Sequence, residues 1–141
     1  NRHPQYENRF PEYTLTFRSG VIEALTTRSY PIRGDVNYIN SDYVRNCLET
    51  ALPSYVGFLD HHGGAFPIYF FLSVLGAKSL PVATERTSGR DYDELERIDR
   101  EIVRLPAARI DTPEDDLDSI VDTLLDSLYN ASGQAREVRV R

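Results

Sequence analysis

The sequence predicts an α+β fold in which a mixed sheet, with an N-terminal β-hairpin and a buried central strand, packs with two main helices. Three patterns support this prediction: two β-rich segments near the start, an apolar run over 66–75, and two segments with helical spacing of apolar residues. A chain of 141 residues can form one domain with a substantial core. We predict a linker or tail over 1–11, a single α+β domain over 12–133 and a basic C-terminal tail over 134–141.

The first two β-rich segments predict a hairpin. Residues 13–18 alternate apolar and polar side chains, and residues 21–26 form a second β-rich run. The two residues between them, Ser19 and Gly20, are typical of a tight turn. One face of this hairpin would carry Tyr13, Leu15 and Phe17.

A long helix is predicted after the hairpin, with Asn40 or Ser41 as its N-cap. Its apolar residues recur at helical spacing, and the glycine pair at 63–64 ends it. Pro53 lies inside this pattern and removes one backbone hydrogen bond, so we expect a kink or a break there. The apolar stripe consists of Val44, Cys47, Leu48, Ala51, Leu52, Tyr55, Val56 and Leu59.

The run from Phe66 to Leu75 shows no alternation of polar and apolar residues. Such a run is typical of a strand in the centre of a sheet, so we expect both of its faces to be covered. Ten residues are too few to cross a bilayer, which needs about twenty. A shorter run, Leu80–Ala83, is expected to form an edge strand.

The segment 84–105 has two interpretations. Apolar residues at three- and four-residue spacing, with acid-before-base pairs four residues apart, favour a helix. A short strand over Glu101–Leu105 is the alternative, and Pro106 would end either element. The helical pattern consists of Tyr92, Leu95, Ile98, Ile102 and Leu105, and the charge pairs are Asp93–Arg97 and Glu96–Arg100.

The last helix is predicted to begin with Thr112 as its N-cap and Pro113 at its first position. The three acidic residues 114–116 would then lie in the first turn, where the helix dipole favours negative charge. The helix should end near Gly133. Its apolar stripe consists of Leu117, Ile120, Val121, Leu124 and Leu128, and its opposite face carries Asp118, Asp122 and Asp126.

Composition limits the class of protein. The net charge of −6 argues against attraction of the whole chain to a polyanion. The single cysteine, Cys47, excludes an internal disulfide and fits a reducing compartment, so we predict a cytoplasmic protein. No segment has transmembrane length or a signal-peptide pattern, so no membrane partner is expected. Because the chain contains no Met, we expect a processed product or an excised domain.

The residues with chemical potential form no catalytic motif. Asp60-His61-His62 attracts attention, but neighbouring helical side chains point about 100° apart, so the two histidines cannot share one metal ion. Helix-terminal histidines favoured by the dipole are the simpler interpretation. Cys47 falls on an apolar helix stripe and is expected to be a core residue. We predict no catalytic residue, no metal site and no cofactor.

Two short charged motifs are candidate ligand sites. Arg33-Gly34-Asp35 and Asp99-Arg100-Glu101 place opposite charges in loops or at element ends. Their arginines could bind a ligand carboxylate or phosphate, or the charges could form ion pairs that fix the loops. The candidate ligand-binding residues are therefore Arg33, Asp35, Asp99 and Arg100.

Two further features could serve phosphate or protein binding. Arg97, Arg100 and Arg104 would line one edge of a helix, and Arg136, Arg139 and Arg141 lie in the tail. Acidic neighbours dilute both sets, so surface ion pairs are the expected role of the first. The chain is also rich in tyrosine, which is typical of sheet and core positions and of protein interfaces.

Four stretches, 13–24, 67–78, 98–101 and 128–133, together carry a resemblance that spans most of the chain. They are similar to the C-terminal region of bacterial and archaeal proteins whose N-terminal half is a DNA-binding domain of the AlbA_2 (Schlafen-AlbA) type. The resemblance implies an accessory domain of a larger protein, with any nucleic-acid role in that N-terminal half. It implies no catalytic residue, and it favours a strand near Glu101–Leu105.

Two functional hypotheses follow. The first is a non-catalytic accessory domain, for assembly or ligand sensing, in a larger DNA-binding regulatory protein. It would form a homo-oligomer or pack against the N-terminal domain. The alternative is a metal-dependent nucleic-acid-processing enzyme or its substrate-binding portion. Its metal ion would be held by Asp35, Asp60, Asp91 and Asp99.

Overall fold

The computed structural model describes residues 12–26, 32–33, 36–84, 87 and 91–135 and has the predicted α+β fold. Helices and short strands alternate along these residues, and the strand pairings are both antiparallel and parallel. In chain order the elements are β1 (Tyr13–Thr16), β2 (Ile22–Leu25), β3 (Ile32–Arg33), β4 (Val36–Asn37), β5 (Ile39–Asn40), α1 (Ser41–His61), β6 (Ile68–Phe70), β7 (Ser73–Leu75), β8 (Val82–Ala83), α2 (Asp91–Glu94), β9 (Ile102–Arg104), β10 (Ala108–Ile110) and α3 (Leu117–Ala131).

The predicted hairpin is confirmed. Strands β1 and β2 pair antiparallel, with Thr16 opposite Ile22. The loop has three residues rather than the expected two, since the Phe17 N–H donates to the Val21 carbonyl at 2.8 Å. Gly20 has a φ of 85°, a left-handed conformation that a residue without a Cβ adopts readily. We refer to the unit 12–26 as the hairpin.

The first helix begins where the sequence predicts. The Asn40 side chain accepts a hydrogen bond from the Tyr43 N–H at 3.0 Å, which satisfies one free donor of the first turn. The expected break at Pro53 does not occur, because α1 continues to His61. Pro53 and Glu49 are exposed, so water can reach the carbonyl of Glu49 that the missing N–H would have bonded.

The apolar run forms half of an antiparallel ribbon. Strand β6 pairs with β10, and β7 pairs with β9. Between these two ladders, residues 71–72 face residues 105–107, so one extra residue makes a β-bulge. Pro106 lies in this bulge, where its missing N–H costs no ladder hydrogen bond. We call the unit formed by 68–75 and 102–110 the ribbon.

The prediction that the run is covered on both faces is wrong. Burial alternates strictly along 68–75, because the even-numbered side chains lie against the core and the odd-numbered ones are exposed. The inner face of the ribbon therefore belongs to the core and its outer face does not. The inner face consists of Ile68, Phe70, Leu72, Val74, Val103, Leu105 and Ile110.

The short strand β8 is confirmed as a strand, but it is buried rather than exposed at an edge. It pairs in parallel with β5, and Val82 is completely buried. The neighbouring backbone is bonded on both sides: the Pro81 carbonyl accepts from Ile39 and the Leu80 carbonyl accepts from Ile98. These bonds place the segment in the interior of the fold.

For residues 84–105 the strand interpretation is confirmed and the helix is wrong beyond a single turn. Within this segment only Asp91–Glu94 is helical among the described residues, and β9 pairs with β7. Arg97 donates to the Ser79 carbonyl at 3.0 Å and Arg100 bonds Asp99, so these arginines do not line a helix edge. Pairing of β9 with β7 outweighs the helical spacing of the apolar residues.

The second main helix begins four residues later than predicted. Asp116 is its N-cap and accepts from the Ser119 N–H at 3.1 Å. Thr112 instead lies in a turn, where the Asp115 carboxylate accepts from the Asp111 N–H at 2.7 Å and from the Thr112 hydroxyl at 3.0 Å. These two hydrogen bonds lower the pKa of Asp115. The end near Gly133 is confirmed.

The two main helices pack against each other over the inner face of the ribbon. Arg45 on α1 and Asp122 on α3 form an ion pair at 2.6 Å. The core contains the whole predicted stripe of α3 and also Leu125 and Tyr129. Of the predicted α1 stripe it contains Val44, Leu48, Leu52 and Val56. The buried helical residues are Leu48, Leu52, Val56, Val121, Leu124, Leu125, Leu128 and Tyr129.

A search of the described residues for a helix with the length and hydropathy needed to cross a membrane finds none.

Candidate interaction surface

The structure brings together two of the four predicted ligand-binding residues. The Arg100 Nε donates to an Asp99 carboxylate oxygen at 2.8 Å, and both side chains are largely exposed. This hydrogen bond is the main reason that the pKa of Asp99 is lowered. Arg33 ends β3, while its side chain and Asp35 lie outside the described residues, so the four-residue site stays a prediction.

The histidine pair has the local role that its position indicates. His62 is the C-cap residue of α1, and its Nδ1 lies 2.8 Å from the Phe58 carbonyl. Its ring also lies 4.2 Å from that of Phe58, measured between centroids. Within the described ranges no group of three or more His, Cys, Asp or Glu side chains could hold a metal ion.

The cysteine is less buried than predicted. Cys47 is half-buried on α1, and its thiol interacts with the Tyr43 hydroxyl group one turn away. Burial is the main cause that raises the pKa of Tyr43, and the contact with Cys47 adds to it. A neighbouring neutral phenol does not activate a thiol, since a reactive thiolate needs a basic neighbour or a helix N-terminus.

One buried polar cluster ties the ends of the helices together. The Ser41 hydroxyl donates to the Ala83 carbonyl at 3.1 Å and lies 2.8 Å from the Tyr129 hydroxyl. Because Ser41 has one proton, the Tyr129 hydroxyl must donate to it. Ser41 is thus fully used as a structural link between α1, α3 and β8, and is not a poised nucleophile.

A shallow cavity of about 190 Å³ lies between β10 and α3. It is lined by the bulge residues of the ribbon and by small polar side chains of the helix, including Ser119, Thr123 and Ser127. Typical small-molecule sites occupy roughly 300–1,000 Å³, so this cavity is too small for a drug-sized ligand.

The outer face of the ribbon carries large apolar side chains that are exposed to solvent. Phe71 is 72% exposed and Tyr69 is 57% exposed, and Leu75 and Ile102 lie exposed directly opposite each other. Contiguous apolar side chains of this size on a strand face are typical of an interaction site. Aromatic residues with arginine are the composition that protein interfaces favour.

Two arginines lie among these apolar side chains. Arg104 is opposite Ser73, and Arg109 is opposite Tyr69. Arg109 also pairs with Asp111 at 2.6 Å, and the hydrogen bond to that carboxylate raises the pKa of Arg109. The outer face of the ribbon therefore consists of apolar side chains with two arginines among them, of which Arg109 is paired with an acid.

The hairpin carries a second exposed apolar face. Its odd-numbered residues share one side, and Tyr13, Leu15, Phe17 and Val21 are between 39% and 56% exposed. The same side includes Glu23, to which the Tyr13 hydroxyl donates a hydrogen bond. This contact is the main reason that the pKa of Tyr13 is raised.

Neither exposed face is predicted as a site from the sequence. In the ribbon the inner and outer side chains are both apolar, so hydropathy alone could not separate them. The hairpin has the predicted alternation, and its apolar side is exposed. Among the described tyrosines, Tyr38, Tyr92 and Tyr129 are buried, and Tyr13 and Tyr69 are exposed.

Comparison of the chain with models of known protein families, with curated proteins and with solved structures gave no match in any of the three.

Proposed function

We propose that this chain is a non-catalytic assembly domain of a larger, cytoplasmic regulatory protein, and that the outer face of its ribbon is the assembly surface. The observation that carries the proposal is the exposure of four apolar side chains on the outer face of the ribbon, namely Tyr69, Phe71, Leu75 and Ile102. Complete burial of a Phe side chain stabilises by about 1.5–3 kcal/mol, and most of the Phe71 surface is available for this.

The nature of the larger protein rests on the resemblance of four stretches to the region that follows a Schlafen-AlbA DNA-binding domain. In this proposal nucleic-acid binding belongs to that domain, and the present chain contributes contacts between protein surfaces. The acidic net charge of −6 agrees with this division of roles. The ribbon face itself has the aromatic and arginine composition of a protein interface.

Hydroxyl-radical footprinting of the intact gene product tests the proposal. In the isolated chain, at a concentration where it is monomeric, Phe71 should be oxidised faster than Phe58, because Phe58 is only 40% exposed and stacks on His62. In the assembled protein we expect oxidation of Tyr69 and Phe71 to fall at least several-fold, while Phe58 keeps its rate. Phe58 is the matched control, since it has the same ring outside the ribbon.

If Phe71 in the intact protein is still oxidised faster than Phe58, nothing covers the ribbon and the proposed assembly surface is wrong. The readout does not depend on which partner supplies the cover, so a second copy and another domain are both detected.

A further inference from the structure

Neither of the two exposed apolar faces is covered by the other within one chain. Thr14 and Thr26 on the even-numbered side of the hairpin lie 3.3 and 3.1 Å from the Tyr55 and Tyr43 hydroxyl groups of α1. The odd-numbered side therefore points away from α1. Because the outer face of the ribbon is exposed in the single chain, the hairpin of the same copy does not cover it.

The two faces have complementary charge. Glu23 is the acidic residue of the hairpin's odd-numbered side, where it lies opposite Leu15. Arg104 and Arg109 are the basic residues of the ribbon's outer face, and because Arg109 is already paired with Asp111, Arg104 is the charge that Glu23 would meet. Each face also has four exposed apolar side chains. Opposite charges within two apolar patches fix the register in which such patches join.

The exposed aromatic area of the two faces of one copy is a large part of what a specific interface needs on each partner. The exposed fractions of Tyr13, Phe17, Tyr69 and Phe71 together amount to about two whole aromatic side chains, or roughly 400 Å². A stable interface buries about 800 Å² on each partner. The aromatic rings supply about half of that area, before the aliphatic side chains and the backbone of both faces are counted.

We propose that the outer face of the ribbon is covered by the hairpin of a second copy of this chain. This inference rests on the proposed assembly role. In a two-fold dimer each hairpin would lie on the other copy's ribbon, so both faces of both copies are buried in one closed assembly. Phe17 and Leu15 would pack against Tyr69 and Phe71, and Glu23 would face Arg104.

Sedimentation velocity over a concentration series tests this occupant. The unchanged chain should dimerise, and Phe17→Asp and Phe71→Asp should each raise the dimer dissociation constant more than tenfold. Phe58→Asp introduces the same charge at an exposed ring outside both faces, so it should leave the constant unchanged. Glu23→Arg should weaken the dimer, and Arg104→Glu in the same chain should recover part of the loss.

Mixing the two monomeric variants separates a broken contact from a misfolded chain. The Phe71→Asp copy keeps an intact hairpin and the Phe17→Asp copy keeps an intact ribbon, so a mixture should form a heterodimer through one normal contact. Neither variant should dimerise alone at the same concentration. A mixture that stays monomeric would contradict the placement of each hairpin on the other copy's ribbon.

The failures of the two proposals differ. Two results would show that the hairpin of a second copy does not cover the ribbon. One is a chain that stays monomeric up to millimolar concentration. The other is a dimer that Phe71→Asp dissociates and Phe17→Asp does not. In both cases footprinting that still shows a covered Phe71 leaves the assembly surface in place. An uncovered Phe71 in the intact protein removes both proposals.

Discussion

The hairpin and the ribbon are both antiparallel strand pairs, but they use their apolar side chains differently. The hairpin sequence alternates apolar and polar residues, yet its apolar side is exposed. The run in the ribbon does not alternate, yet its burial does. Hydropathy along a strand therefore does not determine which of its faces is covered within one chain.

The difference arises from what lies next to each unit. The inner face of the ribbon packs under two helices that contact each other, whereas the hairpin contacts α1 through hydroxyl groups at exposed positions. A strand face becomes buried only where another element is available to cover it. Both uncovered faces are of the kind that association between chains would bury.

The largest expected effect separates the two faces of the ribbon. Ile110 is completely buried on the inner face, and Ile102 is 40% exposed on the outer face. We expect Ile110→Ala to lower the free energy of unfolding by about 2–5 kcal/mol, because it removes apolar contacts and leaves a cavity. The matched change Ile102→Ala should cost below about 1 kcal/mol. Urea unfolding of both variants, at a concentration where the chain is monomeric, measures the difference.

Similar losses from the two substitutions would contradict the assignment of one inner and one outer face. A large loss from Ile102→Ala that appears only at high protein concentration would instead indicate burial of the outer face by association.

The parts of the fold that the sequence predicts are those with strong local signals. The hairpin, both main helices and their apolar stripes follow from alternation, helical spacing and caps such as Asn40. The β9 strand could be favoured only by resemblance, because its apolar residues also fit a helical spacing. Its pairing with a segment almost thirty residues away decided the outcome.

The start of α3 and the covered faces could not be predicted, for related reasons. Thr112, Pro113 and the following acids satisfy the rules for a helix start, but the Asp115 carboxylate bonds the backbone and hydroxyl groups of a turn instead. The exposure of the ribbon's outer face depends on where α1 and α3 lie, which no residue within 66–75 specifies. The four candidate ligand residues gave no independent signal, since adjacent charges such as Asp99 and Arg100 can satisfy each other.

The next effect compares how α3 and the hairpin are attached to α1. Tyr129→Phe removes a buried hydroxyl that bonds Ser41, so we expect a loss of about 1–3 kcal/mol in the free energy of unfolding. Tyr55→Phe removes the contact with Thr14, which lies at an exposed position, and should cost below about 0.5 kcal/mol. Thermal or urea unfolding of the two variants provides the measurement. Equal losses would mean that the hairpin is as firmly attached as α3.

The smallest expected effect is a pH dependence that differs between the hairpin and the turn that follows the ribbon. The pKa of Asp115, in the turn after β10, is lowered below 3.8 by the hydrogen bonds that it accepts, so this stabilisation is present above pH 3.8 and is lost as the pH falls through the folded value. The pKa of Tyr13, in the hairpin, is raised above 10.0, chiefly by its hydrogen bond to Glu23. That stabilisation is present below pH 10 and is lost as the pH rises through the folded value.

NMR titration of the Asp115 carboxyl group and the Tyr13 ring measures both values. Glu23→Gln should return the pKa of Tyr13 toward 10 and leave that of Asp115 unchanged, because the two residues belong to different units. Thr112→Ala removes the hydroxyl donor to Asp115 and should raise the pKa of Asp115 alone. A shift of both values by either substitution would show that the hairpin and the ribbon turn are coupled, and would contradict their treatment as separate units.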